Sequence, residues 1–269
     1  MSRSARILFL LVLAIVSSTM SACMKIPARP VSGTFVAREL VVDGSTHRYQ
    51  VFVPASAKTD ASTPVILFLH GSGERGSDGV LQTQAGLGPY VRAHADTFPA
   101  IVVFPQAAQD SEWAGANLDM ALAELDAATQ EFGGDPDRTY LTGLSMGGYG
   151  TWQLALQTRD RFAALVPICG GLSIPPDRPT MRVDAVAGAA DPFRAAATRL
   201  RNDPIWIFHG AKDDLVLPEE SRRMAAALKA AGARDARYTE FPDANHNSWD
   251  AAYATPELWT WLFAQRRAD

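Results

Sequence analysis

The sequence predicts an α/β fold: one doubly wound, mostly parallel sheet with an antiparallel hairpin at its N-terminal edge. Three observations lead there. Short apolar runs capped by turn residues recur along the chain, amphipathic helical stretches separate them, and the first two β segments meet at an Asp-Gly turn. The runs are continuous in hydrophobicity rather than alternating, which suits parallel strands buried on both faces. A chain of 269 residues, 47% hydrophobic and 20% charged, has a globular composition, and one large core is expected.

Taken in order, the chain opens with an export signal over residues 1–22. Arg3 and Arg6 supply positive charge, and residues 7–16 form an apolar run too short to span a bilayer. The segment ends in Met20-Ser21-Ala22-Cys23, which resembles a bacterial lipobox, so Cys23 is expected to become a lipid-bearing mature N-terminus. The chain would then be a lipoprotein of the cell envelope, held at a membrane and facing the periplasm or the cell surface. An ordinary signal peptide with an incidental Cys23 is the alternative. Residues 23–32 read as a short linker, and residues 33–269 as one folded domain.

Within that domain Leu40, Val41 and Val42 lead into Asp43-Gly44, after which Tyr49, Val51 and Val53 alternate with Arg48 and Gln50, a hairpin signal. Buried parallel strands are expected at VILFLHG (65–71), AIVVFPQ (100–106), TYLTG (139–143), AALVPICG (163–170) and PIWIFHG (204–210), with a last strand near residues 237–241. Leu118, Ala121, Leu122, Leu125 and Phe132 share one helical stripe, and Met224, Ala227, Leu228 and Ala231 another that stops at Gly232. A final helix starts at Thr255-Pro256-Glu257 and carries Leu258, Trp261 and Leu262. Residues 172–201 resist this pattern. They are rich in Pro, Ala and Arg, their second half fits a crossover helix over 192–200, and their first half could overhang a site at the strand ends.

The chemistry centres on Gly143-Leu144-Ser145-Met146-Gly147, where an expected strand stops and a helix-compatible run begins. A serine in such a strained strand-to-helix turn leaves no room for side chains two residues before and after it, which Gly143 and Gly147 satisfy. The turn exposes the hydroxyl and aims a helix N-terminus at the reacting carbonyl, so the Met146 amide becomes an oxyanion donor. A serine hydroxyl needs a base, and the base an orienting carboxylate, in the chain order Ser, Asp, His. Only His209 and His246 follow Ser145. His246 lies in a polar loop after the last strand and is the expected base; His209 closes an apolar run and reads as structural. The turn after that run offers two adjacent carboxylates, Asp213 and Asp214, between which spacing does not choose. The second oxyanion donor is expected from the loop after VILFLHG, best as the Ser72 amide, with His70 structural and Glu74 and Arg75 paired to each other.

HGSGERGSDG, DPDRTYLTGLSMGGYGTW, WIFHGAKDDLVLP and NHNSWDAAY together resemble the phospholipase/carboxylesterase branch of the α/β-hydrolases, with its polyhydroxybutyrate-depolymerase and feruloyl-esterase relatives. The resemblance covers about residues 33–267. It implies an α/β-hydrolase fold and a serine esterase with Ser145 as nucleophile, Asp213 rather than Asp214 as the acid, His246 as the base, and the Ser72 and Met146 amides as the oxyanion hole. The chain departs from the pattern at Leu217, where the family often has proline, and over 172–201.

A net charge of −4 without basic-aromatic clusters argues against nucleic acid as a partner. No metal-ligand spacing or phosphate loop occurs, so no cofactor is expected. With only Cys23 and Cys169, no disulfide framework exists, and Cys169 at the end of an apolar run reads as a buried small hydrophobe. The expected partner is a small-molecule ester of short or compact acyl type. The same machinery could cut peptides or thioesters, and a catalytically silent cell-envelope binding module is the alternative of another class.

Overall fold

A computed structural model describes residues 32–57, 61–175 and 178–267; the signal segment, Cys23 and nearly all of the 23–32 linker fall outside them. The chain begins with the hairpin of β1 (Thr34–Val42) and β2 (Ser45–Val53), paired in register across the turn. Both turn residues, Asp43 and Gly44, have positive φ, of 49° and 80°, the handedness that fits a two-residue connection to the twist of its strands.

Six further strands extend the sheet: β3 (Thr63–Leu69), β4 (Ile101–Phe104), β5 (Gly134–Leu144), β6 (Ala164–Ile168), β7 (Ile205–Gly210) and β8 (Ala236–Phe241). Their order is β1-β2-β4-β3-β5-β6-β7-β8, with β2 antiparallel to β4 and every pair from β4 to β8 parallel. Each residue of β3, β4, β6 and β7 is buried, as continuous apolar runs require, whereas the edge strands β1 and β8 are partly exposed.

Helices cover both faces. On one face α2 (Ala116–Phe132), α3 (Met146–Gln157), α5 (Pro192–Leu200) and α6 (Glu219–Ala230) pack Leu118, Leu125, Trp152, Phe193 and Met224 into one core. On the other, α1 (Leu87–Ala93), α7 (Trp249–Tyr253) and α8 (Pro256–Ala264) contribute Leu87, Val91, Tyr253, Leu258 and Trp261 to a second. Of the 172–201 stretch, the described part holds the one-turn α4 (Asp184–Ala187) and α5, and its Met181, Val183 and Val186 are buried against the first core. The architecture is the α/β-hydrolase fold that the motifs imply.

The topology fixes where a ligand can go. From β3 the chain crosses to β4 on one side and then returns to β5 on the other, so the winding reverses between β3 and β5. The crevice beyond the carboxyl ends of strands at such a reversal is the usual binding site of an open α/β sheet. Leu69 and Gly143 are paired at those ends, which puts the loops carrying Ser72 and Ser145 side by side.

Candidate active site

Ser145 lies between the end of β5 and the start of α3 with φ 53° and ψ −117°, a left-handed conformation that costs a non-glycine residue on the order of 1–3 kcal/mol. Surrounding contacts hold it there. Its amide donates to the Ile168 carbonyl at 3.0 Å, and its carbonyl accepts from the Gly148 and Tyr149 amides at 2.8 and 3.1 Å. The flanking glycines are required by contact: a Cβ on Gly147 would lie 1.9 Å from the Leu69 carbonyl oxygen, and one on Gly143 2.3 Å from the Gly147 oxygen.

The loop between β8 and α7 brings His246 over this serine. The Ser145 hydroxyl donates to His246 Nε2 at 2.9 Å, and His246 Nδ1 donates to Asp213 Oδ2 at 2.8 Å. The carboxylate fixes the tautomer: an ionised oxygen can only accept, so Nδ1 carries the proton and Nε2 is left as the acceptor for the serine. The Trp249 ring meets the imidazole edge-on, with centroids 5.6 Å apart.

Asp213 follows β7 in a tight turn, its side chain fully buried, while Asp214 is exposed. Its Oδ1 accepts from the Leu215 and Val216 amides at 2.9 and 3.0 Å, and its Oδ2 accepts from both His246 and His209, the latter at 3.1 Å. Burial alone would raise its pKa; the hydrogen bonds from His209 and His246, with the Val216 amide, override it and hold the carboxyl far below its usual range.

The loop after β3 is anchored from beneath. His70 is fully buried, donates from Nδ1 to the Gly71 carbonyl at 2.6 Å and accepts the Ala107 amide on Nε2 at 3.0 Å. Burial pushes its pKa down to about 4, so it is neutral and structural. Ser72 opens the 3-10 turn Ser72–Glu74, and Met146 opens α3. The first amides of a helix have no acceptor inside it, so both are suited to an oxyanion. The Ser72 hydroxyl accepts from Arg178 Nη1 at 2.7 Å, which ties the 172–201 excursion to this loop.

One expectation fails. Arg75 pairs not with Glu74 but with Glu112, at 2.8 Å, since the chain turn after β4 delivers that carboxylate to the loop; Glu74 keeps a buried Oε2 without a hydrogen-bond partner, and burial raises its pKa. Phe193 on α5 is buried, with the Arg223 guanidinium 3.9 Å from its ring centroid. Sequence reasoning also missed the contact of His209 with the acid, although the i,i+4 spacing of His209 and Asp213 was visible.

The donor atoms of Cys169, Asp213 and His246 lie within 4.8 Å of one another, the arrangement closest to a metal site among the described residues. The carboxylate and imidazole there already bond each other, and burial raises the Cys169 thiol far above its ordinary pKa, which favours the neutral thiol over a metal-binding thiolate.

A family model described as "Putative esterase" matches residues 44–265. The chain is 32% identical over 184 residues to "Putative esterase NocK" of Nocardia uniformis subsp. tsuyamanensis, covering 62% of this chain and 52% of that protein. It is 28% identical over 229 residues to an "Uncharacterized secreted protein" of Arthroderma benhamiae, covering 79% of this chain and 24% of that one. It thus spans about half and about a quarter of these relatives. Among solved structures it resembles a thermostable esterase, with a TM-score of 0.69 and 29% identity over 87% of this chain and 63% of the other.

Proposed function

The chain belongs to the Esterase family, and from that membership we propose that it is a serine hydrolase that cleaves carboxylic esters through an acyl-enzyme. The observation that carries this reading is the unbroken hydrogen-bond path from the Ser145 hydroxyl through His246 to the buried Asp213.

In this reading Ser145 is the nucleophile. As its oxygen attacks the ester carbonyl, the proton passes to His246 Nε2, and Asp213 stabilises the resulting imidazolium without taking the proton. The carbonyl oxygen becomes an oxyanion held by the Ser72 and Met146 amides, the latter reinforced by the N-terminal end of α3. His246 then returns the proton to the departing alkoxide, leaving the acyl group on Ser145. A water activated by the same imidazole releases the acid. Because both amides are set by backbone geometry and the buried carboxylate is held by hydrogen bonds on both oxygens, little reorganisation accompanies the step.

The substrate class proposed is short or compact acyl esters. A long acyl chain gains about 0.8 kcal/mol per methylene only where apolar surface waits to receive it. Here Met181, Val183 and Val186, the large apolar residues of the excursion's middle, are spent on the core. The test is kcat/KM for esters of two to sixteen acyl carbons, with Ser145→Ala as control. A maximum at short chains abolished by the substitution supports the reading, and a steady rise to the longest chain refutes the substrate class.

Location is proposed on the sequence: residues 1–22 as a lipoprotein-type signal, Cys23 as a lipidated anchor, residues 23–32 as a linker, and residues 33–269 as the catalytic domain in the cell envelope. The secreted relative favours export. Intact-mass analysis of the mature protein tests the anchor, acyl mass on Cys23 being the expected result and an unmodified N-terminus the contrary one.

A further inference from the structure

Asp213 is held by two histidines. Beneath it, at the penultimate position of β7, His209 is fully buried and makes three contacts: Nε2 lies 3.1 Å from Asp213 Oδ2 and 2.8 Å from the Val216 carbonyl, and Nδ1 lies 2.7 Å from the Ser221 hydroxyl on α6. Both neighbours of Nε2 are pure acceptors, so that nitrogen carries the proton and shares it between them. Nδ1 then accepts from Ser221. The ring is therefore oriented on one side by a helix hydroxyl and on the other delivers a donor to the same carboxylate oxygen that receives His246.

We infer that His209 is a positioning residue of the proposed catalytic acid, restraining Asp213 Oδ2 and moderating its pull on the His246 proton. The inference rests on the triad reading above. Two lone pairs of Oδ2 are taken by two imidazoles, and both Oδ1 contacts come from backbone amides, so His209 supplies the remaining side-chain restraint on the carboxylate. Without it the carboxylate loses a donor to its charged form, becomes more basic, and holds the imidazolium more tightly. A proton stays on the Asp213–His246 pair to higher pH, and the rotated carboxylate presents His246 less well to Ser145. The other groups facing this cluster are Glu240, which pairs in register with His209 on β8 and is ion-paired to Arg222, and the neutral thiol of Cys169 after β6. Neither replaces the lost donor: a carboxylate cannot donate, and the thiol donates only weakly.

The experiment compares His209→Leu, His209→Gln and Ser221→Ala with wild type, each normalised to active sites titrated with a fluorophosphonate, and Ser145→Ala in parallel. The expected result for His209→Leu is a fall in kcat of about 10- to 100-fold with KM within about twofold, and an acid limb of the kcat/KM profile displaced to higher pH. His209→Gln, whose amide can donate to Oδ2, restores most of kcat and the wild-type limb. Ser221→Ala, which leaves the donor but frees the ring, gives a smaller loss in the same direction and keeps the inference testable if the leucine variant does not fold. Loss of thermal stability with kcat per titrated site and acid limb unchanged would make His209 merely structural and overturn the inference. Full activity in Ser145→Ala would instead remove the triad reading itself.

Discussion

Glu124 gives a stability prediction with a defined sign. It lies on the buried face of α2, fully inaccessible, and neither carboxyl oxygen has a hydrogen-bond partner. Burial pushes its pKa from 4.5 up to about 9, so the folded protein keeps this group protonated at neutral pH. In the unfolded chain the same group ionises near 4.5. The folded value is the raised one, so the stability contribution is fully present below pH 4.5 and is lost progressively as pH climbs toward 9. The slope is about 1.4 kcal/mol per pH unit, and at pH 7 the accumulated cost is about 3 kcal/mol, a large share of the 5–15 kcal/mol typical of a native protein. Glu124→Gln removes the ionisation while keeping the shape. Urea unfolding of both proteins at pH 5, 6, 7 and 8 should show the variant gaining on wild type by about 1.4 kcal/mol per unit. A difference that does not change with pH would refute the reasoning, because it would mean that Glu124 is ionised and compensated in the folded state.

Asp213→Asn should lower kcat by about 10³- to 10⁴-fold with KM little changed, because an amide at that position favours the wrong tautomer of His246; steady-state kinetics on a short ester checks it. Gly147→Ala drives a Cβ to 1.9 Å from the backbone oxygen of Leu69 and should cost about 3 kcal/mol, the upper end of the usual overpacking range, seen as a large fall in Tm and loss of fluorophosphonate labelling. Cys169, fully buried with its thiol pKa raised, should resist iodoacetamide in the native protein and react once unfolded; rapid native alkylation would contradict its burial.

What could be read from the sequence was what local pattern determines. The parallel strands were legible because burial on both faces forces uninterrupted apolar runs, as in VILFLHG and PIWIFHG. The strand-to-helix turn at Ser145 was legible because steric crowding around it demands glycine at 143 and 147. The hairpin was legible because Asp43-Gly44 supplies two positive φ values in a row. Helix α1 was not, since it is seven residues long, carries Pro89 and starts after the positive-φ Gly86. Adjacent carboxylates defeat spacing arguments: Asp213 and Asp214 are distinguished by which one the turn buries against Leu215 and Val216. Long-range partners were beyond pattern altogether. The Arg75 to Glu112 pair spans 37 residues and the Arg178 to Ser72 contact 106, and both depend on how loops from separate strands meet over one sheet edge. His209 was read as structural because it ends an apolar run; that its proton reaches Asp213 follows from the chain doubling back after Gly210.

The claim on which the functional account turns is that Ser145 is the nucleophile, and covalent capture tests it most directly. Purified protein treated with a fluorophosphonate at neutral pH and digested should yield a single modified peptide with the adduct on Ser145, and His246→Ala should slow that labelling by several orders of magnitude. An adduct on any other serine, or labelling of Ser145 at an undiminished rate without His246, would contradict the account.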